Sequence, residues 1–134
     1  MTNSENLTKS YWIESTPDTD YPALMGDIET EILIVGGGLA GISCAYMLNK
    51  EGFRIALIEA DHIAQGASGH TTAKITSQHG LIYNKIKTKL GQHLAKQYAD
   101  ANEKAISEIG RIIEEHNIDC NYTRQTAYVF TQQY

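Results

Sequence analysis

Four residues stand at spacings that suit a dinucleotide: Gly36, Gly38 and Gly41 in the run GGGLAG, and Glu59 eighteen residues past the last of them. In the pattern G-x-G-x-x-G the first glycine permits a tight turn off a strand. The second lets backbone approach a pyrophosphate, and the third lets a helix lie close against the strand. Exposed N–H groups and the positive end of that helix then face the phosphate oxygens. An acid at the distance of Glu59 can accept hydrogen bonds from both ribose hydroxyls of an adenosine, and its charge disfavours a 2′-phosphate. Taken alone, the glycines also fit a purely structural turn.

The flanking elements favour the nucleotide. Thr30 to Val35 (TEILIV) is a short β-branched run that stops at the glycines, as a strand buried on both faces of a parallel sheet would. Leu39 to Lys50 reads as a helix, closed by Gly52 just past its end. Within it Ala45, one turn after Gly41, is a second small residue suited to close packing. Arg54 to Ile58 is a second apolar strand with Glu59 at its end, so the order is strand, glycine turn, helix, strand.

Before this unit, residues 1–27 read as an irregular leader in which Pro17 and Pro22 restrict the residues before them. Its Tyr11, Trp12 and Ile13 are apolar enough to dock onto something, with no role legible in the sequence. After Glu59, Asp61 to Gly80 is rich in Gly, Ala, Ser and Thr and has no clear period. A short helix follows over about Tyr83 to Leu90, then a long one from Gln92 to His116, with Asn117 as its stop. Leu94, Tyr98, Ala101, Ala105, Ile109 and Ile112 are spaced by three or four and form its expected core-facing stripe. Asp100 lies between Lys96 and Lys104 at four-residue spacing, the mark of a solvated face. Thr126 to Thr131 reads as a strand with no partner in the remaining sequence, so the chain is expected to be cut or paired to another chain.

The bulk properties narrow the partners. A hydrophobic fraction of 42% with 20% charged residues is that of a folded domain rather than a disordered chain. The net charge of −5, with no basic patch, argues against nucleic acid and anionic membrane surfaces. No apolar run approaches the ~20 residues of a bilayer span, and the polar start lacks a secretory pattern, so a cytoplasmic location is expected. Cys44 and Cys120 make no disulfide framework, and Cys44 is expected as a small buried hydrophobe. His62, His93 and His116 have no metal-ligand spacing, and no metal site is assigned.

NAD and FAD both use the glycine fingerprint, and the stretch Gly66 to Lys74 (GASGHTTAK) separates them. A plain NAD domain would continue into a crossover helix; here a loop of small residues can approach a long cofactor. The run EILIVGGGLAGISCAYMLNKEGFRIALIEA followed by GASGHTTAK resembles the D-amino-acid oxidase-like, or glycine oxidase-like, FAD-dependent oxidoreductases. The further stretch HTTAKITSQHGLIY is similar to a bacterial subgroup whose full-length members carry a C-terminal Rieske iron–sulfur domain, for which this chain has no ligand set.

The resemblance implies an α/β fold: a partial Rossmann-like FAD-binding domain with a parallel βαβ sheet and the start of a second, substrate-facing domain. Residues 28–80 would be the βαβ unit and cofactor loop, and 81–134 a helical segment with the first strand of an incomplete substrate-side domain. Gly36, Gly38, Leu39, Ala40 and Gly41 would line the FAD pyrophosphate. Glu59 would hold the ribose, and Ala60 would lie beside the adenine. Ser68, Gly69, His70 and Thr71 would run along the ribityl chain. Related amine dehydrogenases attach flavin through a histidine in a similar G-x-[ST]-x-H setting, which Gly66 to His70 match; the other reading is a hydrogen bond from the ring to cofactor or loop. Lys74 is expected either near the flavin or at the surface, and Gln78 and His79 either near it or solvated. The implied reaction is hydride transfer to FAD from a small amine or amino acid, with catalytic residues in later sequence and this chain inactive alone. Two further readings remain: a non-catalytic NAD- or ADP-binding Rossmann module, and an assembly piece that self-associates or is completed by another chain.

Overall fold

A computed structural model of the chain describes residues 8–130, which divide at Thr72/Ala73 into two compact units. In the first, β1 (Ile32–Val35) and β2 (Ile55–Ile58) form a two-stranded parallel sheet joined through α2 (Leu39–Lys50). The register pairs Ile32 with Ile55 and Val35 with Ile58. The ladder extends by one bond at its far end, where the Gly36 amide donates to the Ile58 carbonyl at 2.8 Å. The bounds of α2 are those read from the sequence, because glycines stand at both ends: Gly38 in extended conformation before it, and Gly52 at φ +88° after it.

Among the described residues β1 is covered on one face only. Ile32 and Ile34 are half-buried on the side of α2, whose half-buried residues Gly41, Ala45 and Leu48 make one helical stripe. Leu33 and Val35 point the other way and are 53% and 76% exposed, so the expected burial of β1 on both faces does not hold within this unit. Cys44 is exposed rather than buried: one residue before Ala45, it lies about 100° around the helix from the packed stripe. This asymmetry sets an expected result. Truncating Ile34 to alanine should destabilise the unit by about 1–3 kcal/mol, whereas Leu33→Ala should cost under about 0.5 kcal/mol, both read by chemical denaturation.

The leader carries one helical turn, α1 (Tyr11–Glu14), and the segment after β2 contains a 3₁₀ turn over Ala67–His70. These two short elements touch each other.

In the second unit α3 (Ile82–Leu90) and α4 (Gln92–Glu115) pack together, separated by Gly91 at φ +90°. Asn117 adopts φ +49° and the Ile118 amide returns to the Ile113 carbonyl at 3.0 Å, which ends α4 as expected. The packed stripe of α4 runs through Ala95, Tyr98, Ala99, Asn102, Ile106, Ile109, Ile112 and Ile113, while Leu94, Ala101 and Ala105 are exposed. The expected stripe is thus rotated at its first half, since alanines occur on several faces and do not mark one. Lys96 and Asp100 do form their i,i+4 pair, at 2.6 Å on a solvated face. Residues 126–130 form no strand; Thr131 lies outside the described residues. A β-rich run needs a neighbouring strand to take up its backbone groups, and none stands beside it among the described residues. No helix among the described residues is long and apolar enough to cross a membrane.

Candidate cofactor site

The glycine turn of the first unit leaves β1 through Gly36, whose φ of +106° is a conformation that residues with a Cβ rarely adopt. The chain then enters α2, and the third glycine is the point of closest approach. A Cβ built on Gly41 would lie 1.9 Å from the Gly36 carbonyl oxygen and 3.4 Å from Ile34 Cγ2. Only a hydrogen fits there, so the helix start can lie directly against the strand end.

Helical geometry leaves the amides of Leu39, Ala40 and Gly41 without an intrahelical acceptor, and no side chain of Gly38 can cap them. The first helical bond is Ile42 N–H to the Gly38 carbonyl, at 3.0 Å. The end of α2 therefore presents donors and positive dipole charge, the requirement for a phosphate. The Leu39 amide donates to Ser68 Oγ at 2.9 Å, and a Cβ on Gly38 would meet the same hydroxyl at 3.2 Å. Ser68, far away in sequence, is thereby brought to the phosphate-facing end of the turn.

Glu59 reaches the turn from the end of β2. Its Oε2 accepts the Gly37 amide at 2.6 Å, and its Oε1 accepts the amides of Ala60 and Asp61 at 2.8 and 3.2 Å. The bond from Gly37, followed by those from Asp61 and Ala60, holds the carboxyl below the usual carboxylate range. A carboxylate has about four acceptor positions, so three backbone donors still leave room for a ribose hydroxyl. An ionised acceptor held rigidly at the end of β2 suits that ligand.

Gly37 is the residue that the spacing rule passes over. It occupies a free position of G-x-G-x-x-G, yet it is buried, and a Cβ there would meet Ile63 Cγ1 at 3.1 Å and Glu59 Cβ at 3.2 Å. Its carbonyl also accepts the Ala64 amide at 2.9 Å. The signal was present in the run of three consecutive glycines, of which Gly37 is the middle one.

Among the other expected site residues, Ala60 contributes its amide to Glu59, and Gly69 is buried inside the loop. His70 is exposed, with Nδ1 2.8 Å from the Gly66 carbonyl. A carbonyl only accepts, so Nδ1 is the donor in this contact and Nε2 is left on the other side of the ring. The Thr71 carbonyl accepts a bond from the Trp12 indole at 2.8 Å. Lys74, Gln78 and His79 belong to the second unit, where His79 Nδ1 lies 3.3 Å from the Tyr98 hydroxyl.

A parallel strand–helix–strand unit with donors at the helix start and a carboxylate across the turn defines the nucleotide-binding part of a Rossmann-like domain. The chain belongs to the FAD dependent oxidoreductase family, whose family model matches residues 31–133. The cofactor of that family is FAD, and the glycine turn, the α2 donors and Glu59 fit its pyrophosphate and ribose.

YhfW of Bacillus subtilis, named as a Rieske 2Fe-2S iron-sulfur protein, is 45% identical over 128 residues, which are 96% of this chain and 25% of that protein. The gamma-glutamylputrescine oxidoreductase of Escherichia coli is 28% identical over 119 residues, 89% of this chain and 28% of the relative. An oxidoreductase named OrdL from Rhizobium meliloti is 28% identical over 125 residues, 91% and 29% of the two chains. The chain thus spans between 25% and 29% of the length of these relatives. No solved structure matches it.

Proposed function

We propose that this chain is the FAD-binding portion of a flavin-dependent oxidoreductase that acts on amines or amino acids, and that it turns over no substrate alone. The observation that carries the reading is the convergence of Glu59, Ser68 and the Leu39–Gly41 amides on one glycine turn. The name of the Escherichia coli relative supports an amine as the substrate class.

Bound FAD would supply a hydride acceptor for the amine-bearing carbon, with the protein supplying binding and orientation. The residues of this chain hold the far end of that cofactor. Ala40 and Gly41 direct N–H groups at the pyrophosphate, where the α2 dipole offsets its charge, and the Leu39 amide holds Ser68 Oγ beside them. Glu59 accepts from the ribose and, by its own negative charge, rejects a 2′-phosphate. Gly66 to Thr71 direct the rest of the cofactor away from the turn. The exposed His70 ring, with its Nε2 turned away from the Gly66 carbonyl, stands in that loop either to bond the cofactor covalently or to hydrogen-bond it. Substrate-contacting groups are assigned to sequence beyond these residues, which is why the chain alone is read as inactive.

Anaerobic mixing of the FAD-loaded protein with primary amines, secondary amines and amino acids tests this. In the complete gene product the flavin absorption should bleach with at least one of these classes, and the 134-residue chain should show none. Reduction by hydroxy compounds and by no amine would contradict the substrate class, and turnover by the chain alone would contradict its inactivity.

A further inference from the structure

The loop from Gly66 to Thr71 consists, His70 apart, of small residues, and its own bonds are Gly69 N–H to the Gly66 carbonyl at 3.1 Å and His70 Nδ1 to the same carbonyl at 2.8 Å. Such a loop buries too little to offset its own conformational entropy, so other elements must fix it. From the inside, Ser68 accepts the Leu39 amide. From the outside, the leader holds it at several points. The Ser10 hydroxyl donates to the Gly69 carbonyl, and the Trp12 Nε1–H donates to the Thr71 carbonyl at 2.8 Å. Both pairs are 59 residues apart in sequence, so the leader lies along the loop in one constant register. Ile13 covers Gly69 between them: a Cβ at that glycine would meet Ile13 Cγ1 and Cδ1 at 3.0 and 3.1 Å. Farther along, Gln65 Nε2 donates to Asp18 Oδ1 at 2.6 Å.

We propose that the leader segment Ser10–Asp18 is part of the cofactor site, with Trp12 a positioning residue that holds Ser68 at the amino end of α2. The inference rests on the FAD reading given above. Ser68 immediately precedes Gly69, which bears the nearer of the two carbonyls that the leader grips, and shares the 3₁₀ turn that leads on to Thr71, so the placement of its hydroxyl depends on how the leader holds that turn. A role in building a core does not account for the leader, since none of its helical residues is buried and Tyr11 is 69% exposed. Its Ser10 and Trp12 donors instead go to backbone oxygens of one loop, the loop whose Ser68 meets the amino end of α2.

Trp12→Phe keeps an aromatic ring and removes the N–H, and Ser10→Ala removes the other donor. Amide hydrogen exchange measured residue by residue on the whole chain reads the consequence directly. We expect exchange at Leu39 to quicken by about tenfold in Trp12→Phe, and by less in Ser10→Ala. The Gly36 amide, paired to Ile58 in the sheet, should be unchanged. The dissociation constant for FAD should rise by about three- to tenfold in the same variant, with the melting temperature of the apoprotein unaltered. Unchanged exchange at Leu39 with unchanged FAD affinity would overturn the proposal. Equal acceleration at Leu39 and Gly36 would also overturn it, by showing a general loss of stability. Wild-type protein that takes up no FAD, while Leu39 alone responds to Trp12→Phe, would overturn the FAD reading and leave the positioning of Ser68 standing.

Discussion

Replacing Gly41 with alanine is expected to lower FAD affinity by at least about a hundredfold and to destabilise the first unit by about 3 kcal/mol or more. The Cβ would stand 1.9 Å from the Gly36 carbonyl oxygen and 3.2 Å from its carbon, both backbone atoms that no side-chain rotation can move. Relief requires shifting α2 off β1 or turning the Gly36 peptide. That peptide is tied on its other side, since its N–H, that of Gly37, bonds Glu59 Oε2, and the preceding Gly36 N–H bonds the Ile58 carbonyl, so the disturbance passes to the acid and into the sheet. Glu59 follows directly after Ile58, and the strand, the turn and the acid would therefore lose register together. Gly38→Ala is the informative contrast. Its Cβ meets only the Ser68 hydroxyl, at 3.2 Å, so stability should fall by less than about 1 kcal/mol while FAD binding still weakens. Thermal denaturation and FAD titration of the two variants separate these outcomes.

The second large effect is expected at Glu59. Glutamine is close in shape to glutamate, yet it fails at this position for a definite reason. Both carboxylate oxygens accept from backbone: Oε2 from Gly37, Oε1 from Ala60 and Asp61. An amide in either orientation places an NH₂ donor against at least one N–H donor, and it also removes the charge that the ribose hydroxyls would meet. Glu59→Gln should weaken FAD binding by about tenfold or more and loosen the turn, so that the Gly37 amide exchanges faster. The pH dependence follows from the same bonds. The native carboxyl titrates below its ordinary range, so its contribution is complete above that range and is lost as pH falls through the depressed value. Wild-type FAD affinity should therefore hold from neutral pH to below the usual carboxylate range and then fall. In Glu59→Gln the Glu59-dependent fall should be missing from an already lowered profile.

The parts of the fold that the sequence made legible are those with local causes. Glycines bracket α2, so both of its bounds could be read, and Asn117 stops α4 where its side chain tolerates a left-handed backbone. The spacing from Gly41 to Glu59 places the acid beside the turn because the intervening helix and strand have fixed lengths. The parts that were not legible have causes elsewhere. ILIV contains no polar residue, so its alternation cannot reveal that only Ile32 and Ile34 meet α2. Alanines on several faces of α4 concealed the phase of its packed stripe, and Cys44 was misread for lack of a marker on α2. Thr126 to Phe130 has strand-forming residues, but a strand is a relation between two segments and the second one does not stand beside it. At the site, the glycines and Glu59 were legible by type. That Glu59 grips Gly37, that Ser68 meets Leu39, and that Ser10 and Trp12 hold the loop are contacts across 22 to 59 residues, with no local signature.

The measurement that bears most directly on the account is residue-resolved NMR of the isotopically labelled chain titrated with FAD, then separately with ADP and with NAD. FAD should move the amides of Gly36 to Gly41, Glu59 to Asp61 and Ser68 to Thr71, and ADP should move those of the turn and of Glu59. Shifts confined to α3 and α4, no shift at saturating FAD, or a response to NAD with none to FAD would contradict the assignment of this turn as the FAD site.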